Sequence, residues 1–308
     1  MTITTASRRS FMIGAGAVAL GAFGRPGWAA PEFKTVAPGV LTIANSNEMP
    51  MIAMENGKLI GSDAEIVATI AQKLGLGVVS AQMEWSATVQ SVKSGRADIM
   101  CGNMGWTPAR AQALAITDAI YYAGAFVCMK KDQPFTSAIT VNDIKGHSIG
   151  TVNGFTIVPE MKKLPGVTEV KLYDNSDGCV RDVVAGRLDF AVLDAPLVDY
   201  MILKNPSWNL KQVPMMHDDA FPQITSKQHT VMGMNQDNHD LFDAVNAGVK
   251  WMWKTKKNAE LMQKYGISNP DYLVAPEKNP RIGVDRDDKG DVIGPGAHTA
   301  KDFSALFA

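Results

Sequence analysis

The sequence predicts an α/β protein of two lobes, in which parallel sheets are covered by helices. Strand-like and helix-like segments alternate along most of the chain, which is typical of parallel sheets. The 308 residues, 46% of them hydrophobic, can bury a large core and exceed the size of one small domain. An internal echo also favours two related halves, because "VKSGRADI" from Val92 and "VAGRLDF" from Val184 share the spacing Gly-Arg-x-Asp.

The N-terminal residues 1–29 are predicted to be a twin-arginine signal peptide. Arg8 and Arg9 are followed by Phe11 and then by a Gly/Ala-rich apolar run that is too short to anchor a span in the bilayer. Small residues are needed at the third and first positions before the cleaved bond, and Gly27 and Ala29 meet this need. We therefore expect the mature protein to start at residue 30. A chance arginine pair in a cytoplasmic protein is the alternative.

The elements of the first half follow one another closely. "VLTIANS" is predicted to be a strand, and "SDAEIVATIAQKLGLG" a helix with a capping box of Ser62 and Glu65 and an end at Gly75. A strand "GVVSAQM", a helix through "TVQSVKSG" and a strand "ADIMCG" come next. In the echo, Gly95 closes this second helix and Asp98 opens the strand, as Gly186 and Asp189 do further on.

The second half repeats the alternation. Its segments are "HSIGTV", "TIVPEMKKL", "EVKLYD", "DGCVRDVVAG" and "LDFAVLD". Two further strands, "GAFVCMKKD" and "HTVMGMNQD", lie where the chain would cross between the lobes. One long helix is predicted through "HDLFDAVNAGVKWMWKTKKNAELMQKYG", whose apolar positions have helical spacing.

The C-terminal residues 270–308 contain short apolar runs separated by Pro and Gly. This pattern favours an ordered extension that wraps a lobe, with a flexible tail as the alternative. Within it, "DRDDKGD" lacks the glutamate that a calcium loop needs at its twelfth position, and we interpret it as a polar hairpin turn.

Composition excludes several classes of function. The formal net charge of −1 gives no basic stripe for nucleic acid. Cys101, Cys128 and Cys179 permit at most one internal disulfide, and their apolar surroundings favour buried packing. We find no metal-ligand spacing, phosphate loop or Ser/His/Asp order, and we expect no metal and no cofactor.

Several consecutive motifs resemble the family 3 solute-binding proteins of bacterial ABC importers. They are "GKLIGSDAEIVATIAQKLG", "EWSATVQSVKSGRADIMCGNMGWTPARAQALAITDAIYYAGAFVCMKKD", "VNDIKGHSIGTVNGFT", "GRLDFAVLDAPLVDYMI" and "KKNAELMQKYG". The resemblance covers roughly residues 40–266. It implies the two-lobed periplasmic binding protein fold of type II, with two crossing hinge strands and a ligand cleft that closes. It places lobe 1 at residues 30–127 and 231–269, lobe 2 at 128–230, and the extension at 270–308.

The resemblance also implies a function. Such proteins are periplasmic, non-enzymatic and monomeric receptors that capture a polar amino acid, opine or related amine and deliver it to a membrane permease. Two other functions stay open at this point: an enzyme on the same scaffold, resembling cyclohexadienyl dehydratase, with Glu48 as the unusual cleft acid, and an accessory or sensory binding module.

Two residues of "GNMGWTPAR" carry the strongest site hypothesis. Thr107 is a good N-cap and Arg110 adds a guanidinium to a helix start that favours anions. An arginine in a first helical turn is, by itself, more often a surface residue. In the family a Thr-x-x-Arg segment binds the α-carboxylate of the ligand, and the resemblance assigns that role to Thr107 and Arg110.

The second lobe contributes the other predicted contacts. Asp194 ends a buried strand, where open α/β sheets present ligand contacts, and the resemblance implies that it receives an α-amino group. Its alternative role is only to cap the helix that follows. The loop "VNGFT" matches a family turn that donates N–H groups to the carboxylate, and it provides Gly154, Phe155 and Thr156 as candidates.

Three residues depart from the usual family pattern and are predicted to shape the side-chain pocket. Glu48 replaces an aromatic ring, Gly105 replaces a hydroxyl residue and Trp106 replaces a small aliphatic residue. Glu48 placed across from Trp106 and Phe155 would suit a cationic ligand, while an exposed loop acid is the alternative. Trp85 and Tyr122 are predicted to be packing residues.

Overall fold

The computed structural model describes residues 32–274, 279 and 281–308. The predicted signal peptide and its cleavage site at residue 30 lie outside the described residues. In chain order the strands are β1 (Val40–Asn45), β2 (Ala53–Glu55), β3 (Lys58–Ile60), β4 (Gly77–Gln82), β5 (Ile99–Met100), β6 (Ala115–Ile116), β7 (Tyr121–Ala123), β8 (Ala125–Lys130), β9 (Ser148–Val152), β10 (Glu169–Tyr173), β11 (Phe190–Asp194), β12 (Leu210–Pro214), β13 (Gln228–Thr230) and β14 (Gly233–Met234).

The helices cover the faces of these strands. They are α1 (Ser62–Lys73), α2 (Trp85–Lys93), α3 (Pro108–Ala113), α4 (Val158–Met161), α5 (Ser176–Val184), α6 (Ala195–Lys204), α7 (Pro222–Thr225), α8 (His239–Thr255) and α9 (Lys257–Lys264), with 3₁₀ turns at Pro206–Trp208, Pro270–Tyr272 and Ser304–Phe307. None of the helices in the described part of the chain is both long and apolar enough to cross a membrane.

Two five-stranded sheets form the two lobes. The first has the order β4-β1-β5-β14-β6 and the second the order β10-β9-β11-β8-β12. In each sheet three strands are parallel, as predicted, while the fourth strand along the sheet runs antiparallel to the third. These reversed strands, β14 and β8, are the ones by which the chain enters each sheet from the other lobe. The two-lobed α/β prediction is confirmed.

The hinge lies a few residues away from its predicted place. β7 and β13 form a separate two-stranded antiparallel sheet between the lobes, with Tyr121 opposite Thr230. β8 is hydrogen-bonded along its length to β11 and β12, so the apolar run "GAFVCMKKD" belongs to the second sheet and does not form the crossing. The second sheet therefore begins at Ala125, three residues before residue 128, the predicted start of lobe 2.

The internal echo corresponds to one local structure used twice. Asp98 accepts a hydrogen bond from the Thr42 N–H at 2.8 Å, and Asp189 accepts one from the Ser148 N–H at 2.8 Å. Each carboxylate thus joins its own strand to a neighbouring parallel strand. Gly95 and Gly186 have φ of 70° and 72°, which a glycine adopts with little strain after a helix.

Two helix predictions are wrong in detail. The capping box at α1 does not form: the N-cap is Gly61 without a side-chain hydrogen bond, and Glu65 instead accepts hydrogen bonds from Lys264 and Tyr265. The predicted long last helix is divided into α8 and α9 at Lys256, whose φ is 58°. A left-handed lysine ends the i→i−4 ladder there without the usual glycine signal.

The C-terminal residues 281–308 are ordered against the first lobe. The Phe303 ring lies 5.6 Å from that of Phe33, and His298 Nε2 lies 2.8 Å from Asp243 Oδ1 on α8. In "DRDDKGD", Asp287 accepts hydrogen bonds from the N–H groups of Lys289 and Asp291, which forms the predicted polar turn. Residues 281–308 therefore wrap the first lobe, in agreement with the first of the two sequence interpretations.

The three cysteines are free thiols in the core. Cys101, Cys128 and Cys179 are fully buried, and burial raises the pKa of each thiol. The predicted role in packing is confirmed.

Candidate functional site

A cavity between the lobes is lined by residues of both lobes and of the hinge. Its lining residues are Trp85, Asn103, Gly105, Arg110, Ala123, Gly124, Ala125, Phe155, Thr156, Ile157, Asp194, Gln223, Gln228 and Thr230. The free volume is about 20 Å³, which is room for one or two water molecules. A ligand of amino-acid size can therefore enter only if the lobes separate.

Arg110 spans the cleft from the first lobe. Thr107 is the N-cap of α3, as predicted, and its Oγ1 accepts a hydrogen bond from the Arg110 N–H at 3.1 Å. The guanidinium donates to the Gly105 carbonyl at 2.6 Å and to the Gly154 carbonyl of the second lobe at 3.0 Å. It also lies over the Trp85 ring, 5.7 Å from its centroid. Burial lowers the pKa of Arg110 to about 10, and the charge of Asp194 opposes this shift.

Asp194 faces the same cavity from the second lobe. It occupies the N-cap position of α6, yet its side chain makes no capping hydrogen bond, so the alternative role as a helix cap alone is wrong. Burial raises its pKa to about 7; the side chain of Asn103 and the charge of Arg110 lower it, while the charge of Glu48 raises it. A half-buried acid without a direct cation partner among the described residues is suited to a ligand cation.

The loop that follows β5 places Asn103 in the cleft, although this residue is not among those predicted from the sequence. Asn103 has a left-handed φ of 55°, and its Oδ1 accepts a hydrogen bond from Thr230 Oγ1 at 2.7 Å. The buried Asp63 fixes the loop, because its carboxylate accepts hydrogen bonds from the N–H groups of Gly102 at 2.9 Å and Asn103 at 2.8 Å. The Tyr121 hydroxyl, on hinge strand β7, donates to the same carboxylate at 2.6 Å. In "CGNMG", Asn103 directly follows Gly102 and is two residues before Gly105, and an Asn with glycines so close is the local signal for this turn.

Three other cavity residues with polar side chains are also absent from the sequence prediction: Gln223, Gln228 and Thr230. They lie on α7 and β13, outside every motif that carries a chemical signal. Trp85, predicted to be a packing residue, is buried and also lines the cavity, where its ring makes an edge contact with Phe155 at 6.3 Å between centroids. Tyr122 is buried beside His229 and does not line the cavity.

In the second lobe, the turn at Gly154, Phe155 and Thr156 approaches the first lobe closely. A Cβ atom built on Gly105 would lie 3.0 Å from Thr156 Cγ2, and one built on Gly154 would lie 3.2 Å from the Ser86 Cα. Glycine at both positions lets the lobes meet. Gly105, Phe155 and Thr156 line the cavity, and Gly154 contributes its carbonyl to Arg110.

Glu48 does not line the cavity. Its carboxylate crosses to the second lobe and accepts a hydrogen bond from the Ser176 N–H, in the first turn of α5, at 2.9 Å. Burial raises the pKa of Glu48, while its hydrogen bonds with Ser176 oppose the shift. Glu48 is therefore neither a wall of the side-chain pocket nor an exposed loop acid, because it joins the two lobes beside the cleft.

Trp106 also points away from the cavity. Its indole N–H donates to Asp285 Oδ2 of the C-terminal extension at 3.2 Å, and its backbone N–H donates to the His229 carbonyl at 2.9 Å. The predicted arrangement of Glu48 across from Trp106 and Phe155 is wrong, because both of the first two side chains are engaged elsewhere. The rings beside Arg110 are those of Trp85 and Phe155.

Among the described residues, no cluster of three or more His, Cys, Asp or Glu side chains is placed to hold a metal ion. The site consists of one guanidinium, one carboxylic acid, two aromatic rings and several amide and hydroxyl groups. Such a set can bind a small zwitterion between two lobes.

Comparison with known proteins agrees with this architecture. The family described as bacterial extracellular solute-binding proteins, family 3, matches residues 41–268. The chain belongs to this family. The match spans both lobes and the hinge of the family 3 fold, and the residues after 268 lie beyond it.

Relatives of this family 3 chain include several amino-acid-binding proteins. It is 27% identical to the probable amino-acid-binding protein YxeM of Bacillus subtilis, covering 60% of this chain and 71% of the relative. It is 24% identical to the histidine-binding and the lysine/arginine/ornithine-binding periplasmic proteins of Escherichia coli, covering 68% of this chain and 80% of each relative.

Solved structures show the same fold. An ancestral arginine-binding protein bound to arginine is similar with a TM-score of 0.64 and 24% identity, covering 74% of this chain and 98% of that one. An ancestral amino-acid-binding protein that is a precursor of cyclohexadienyl dehydratase is similar with a TM-score of 0.63 and 22% identity, covering 74% and 95%. At these identities the likeness establishes the type II fold alone.

Proposed function

We propose that this protein is the periplasmic receptor of an ABC importer, which captures an amino acid or a related cationic amine by closing its two lobes. One observation carries the proposal: Arg110 of the first lobe and Asp194 of the second line the same cavity. An anion-binding group and an acid that face each other across a hinge match the two charges of a zwitterion. Because the ligand would contact both lobes, its binding would favour the closed arrangement.

The hydrogen-bonding capacity of Arg110 supports its role as the carboxylate clamp. A guanidinium has five N–H donors in a planar fork, and the carbonyls of Gly105 and Gly154 accept two of them. The remaining donors have no hydrogen-bond partner among the described residues, so they can bind a carboxylate. Of the loop N–H groups predicted to assist, that of Phe155 donates to the Val152 carbonyl at 3.2 Å, which leaves those of Gly154 and Thr156 as candidates. Asp194 would then accept the α-amino group.

The chemistry of the rest of the cavity favours a cationic side chain. The ring of Phe155 lines the cavity, where its face can attract a cation, whereas the Trp85 ring is already covered by Arg110. Gln223 has a buried Oε1 without a hydrogen-bond partner in the described residues. Relatives named for histidine and for lysine, arginine and ornithine support the same class. We propose basic amino acids as the first ligands to test.

Binding without turnover is part of the proposal. The acid that could have served an enzyme, Glu48, is engaged by the Ser176 N–H and lies outside the cavity. A receptor of this kind is expected to act as a monomer that docks on its permease, with no nucleic-acid partner.

The ligand prediction is tested by a thermal-shift screen of residues 30–308 against L-arginine, L-lysine, L-histidine, L-glutamine, opines, polyamines and guanidino compounds. A ligand at 100 times its Kd stabilises the folded state by about 2.7 kcal/mol, which corresponds to roughly 5 °C or more. We expect a basic L-amino acid to give the largest shift and to be recovered unchanged by mass spectrometry. A shift from no amino acid, or a converted ligand, would contradict the proposal.

We propose further that the chain is exported through the twin-arginine pathway. After expression in a bacterium with that pathway, N-terminal sequencing of the periplasmic protein is expected to begin at residue 30. Replacement of Arg8 and Arg9 by Lys should retain the protein, uncleaved, inside the cell. A periplasmic protein that keeps its first 29 residues, or export that is insensitive to the replacement, would refute this route.

A further inference from the structure

The residues that follow the family 3 match contact the hinge. The match ends at residue 268, and the 3₁₀ turn Pro270–Tyr272 packs against hinge strand β7. Tyr272 is 6% exposed, although it lies near the end of the chain and outside both sheets. A tyrosine buried at this place is held by the hinge and contributes to its packing.

Tyr272 and Asp271 touch both crossing segments where these pass each other. A Cβ atom built on Gly124 would lie 3.3 Å from Tyr272 Oη and 3.9 Å from the Lys227 Cα. Lys227 Nζ donates a hydrogen bond to the Asp271 carbonyl at 3.2 Å. Gly124 follows β7 directly and Lys227 precedes β13 directly, so these contacts lie at the lobe 2 end of both hinge strands.

The contact at Gly124 is connected to the cleft. The Gly124 carbonyl accepts a hydrogen bond from the Ala195 N–H at 2.9 Å, one residue after Asp194. Burial raises the pKa of Tyr272 to about 12, and the charge of Asp194 adds to the rise while the Gly124 backbone opposes it. A displacement of Tyr272 would therefore shift Gly124 and, through its hydrogen bond to Ala195, the position of Asp194 in the cleft.

A second group of contacts fixes the extension on the first lobe. Arg281 donates to the carbonyls of Thr117 at 2.5 Å and Ile116 at 3.0 Å, and it pairs with Asp285 at 2.7 Å. Asp285 in turn accepts the indole N–H of Trp106. Arg281 is 1% exposed, and a buried guanidinium that loses its partners is costly, so this anchor is not easily released. The carbonyls that Arg281 contacts, at Ile116 and Thr117, lie a few residues before β7 in the chain.

We propose that Asp271 and Tyr272 form a hinge brace, anchored on the first lobe through Arg281 and Asp285, that favours the closed arrangement of the lobes and raises ligand affinity. The inference rests on the proposed capture by lobe closure. Tyr272 is in this scheme a positioning residue, because it acts on the hinge and does not touch the ligand. If the closed state is less populated before binding, the apparent Kd rises in proportion.

The brace is tested with Tyr272→Phe and Lys227→Met, which remove the hydroxyl and the ammonium that contact the hinge. Tyr265→Phe is the matched control, since its hydroxyl bonds Glu65 of α1 at 2.5 Å within the first lobe. The interlobe distance of the ligand-free protein is measured by pulsed electron paramagnetic resonance between spin labels on Lys58→Cys and Lys145→Cys. Both positions are exposed, one on each lobe, while the native cysteines are fully buried. The Kd is measured by calorimetry with L-arginine as the probe.

We expect both hinge variants to shift the distance distribution towards longer, open distances and to weaken L-arginine binding. Lys227→Met removes one hydrogen bond, which usually costs about 3- to 10-fold in affinity. Tyr272→Phe removes the contact of the hydroxyl with Gly124 and should act in the same direction. Tyr265→Phe should change neither quantity by more than about twofold. Unchanged distances in both hinge variants would overturn the brace, even if their melting temperatures fall. If L-arginine fails to bind the wild type, the proposed ligand is wrong, while the ligand-free distances still decide for or against the brace.

Discussion

Replacing Arg110 by Ala is expected to weaken binding of any carboxylate ligand by at least about 100-fold. The variant loses a charged, forked donor in a water-poor cleft, and truncation of one partner of such a pair costs about 2–5 kcal/mol. Arg110→Lys should retain part of the affinity, because it keeps the charge and loses the planar fork. Isothermal titration calorimetry with the best ligand of the screen measures both variants.

The control for this prediction is Arg96→Ala. Arg96 is an exposed arginine of the same lobe, and its Nε contacts Ser94 Oγ at 3.1 Å. Arg110 also ties Gly105 to Gly154, so the cooperative melting of the ligand-free variant must be checked separately. A folded Arg110→Ala protein with wild-type affinity for a carboxylate ligand would disprove the clamp.

Affinity for an amino acid is expected to fall as the pH falls below about 7. Burial raises the pKa of Asp194 to about 7, so the free protein holds a proton there at lower pH. A ligand ammonium binds the ionised form, and its binding must then release that proton. Linkage gives a decrease of up to about tenfold in affinity per pH unit below 7 and a plateau above it.

Asp194→Asn should flatten this pH profile and weaken binding at pH 8 by roughly 10- to 100-fold. Calorimetry from pH 5.5 to 8.5 in two buffers of different ionisation enthalpy counts the released protons. The charged groups that act on Asp194 are Glu48, Asp63 and Arg110. If the variant keeps the wild-type pH dependence, another of these groups or the ligand is responsible, and the assignment to Asp194 fails.

The same pKa has a consequence for stability. A carboxyl group whose folded pKa is raised binds more protons in the folded than in the unfolded state between about pH 4 and pH 7. The free energy of unfolding therefore decreases as the pH rises through this window. Asp194→Asn removes the effect, and its ligand-free melting temperature at pH 8 should exceed that of the wild type.

The alternation of elements could be predicted because each strand and helix expresses its own periodicity. The position of the hinge could not be predicted in this way. The run "GAFVCMKKD" is apolar whether it crosses between lobes or lies inside a sheet, and only the pairing of β8 with β11 and β12 decides for the sheet. The break at Lys256 was missed for a related reason, since a left-handed lysine is set by its surroundings.

The site was predicted to the extent that its residues lie in local motifs. Thr107 and Arg110 share one helix start, and Asp194 ends one strand, so each was identifiable before its partners were known. Glu48 and Trp106 were misplaced because their partners, Ser176 and Asp285, are more than 100 residues away along the chain. Asn103 was missed because its orientation depends on Asp63.

The sequence by itself determined the fold class, the order of its elements and the identity of the two charged residues that face the cleft. The elements rest on local periodicity, which acts over a few residues, while the two charged residues were singled out by motifs that resemble those of the family. Only the tertiary structure decided which rings stand beside Arg110, where the hinge lies and what the C-terminal extension holds. These depend on contacts such as Trp106 with Asp285 and Gly124 with Tyr272, and such contacts arise from packing that no local pattern encodes.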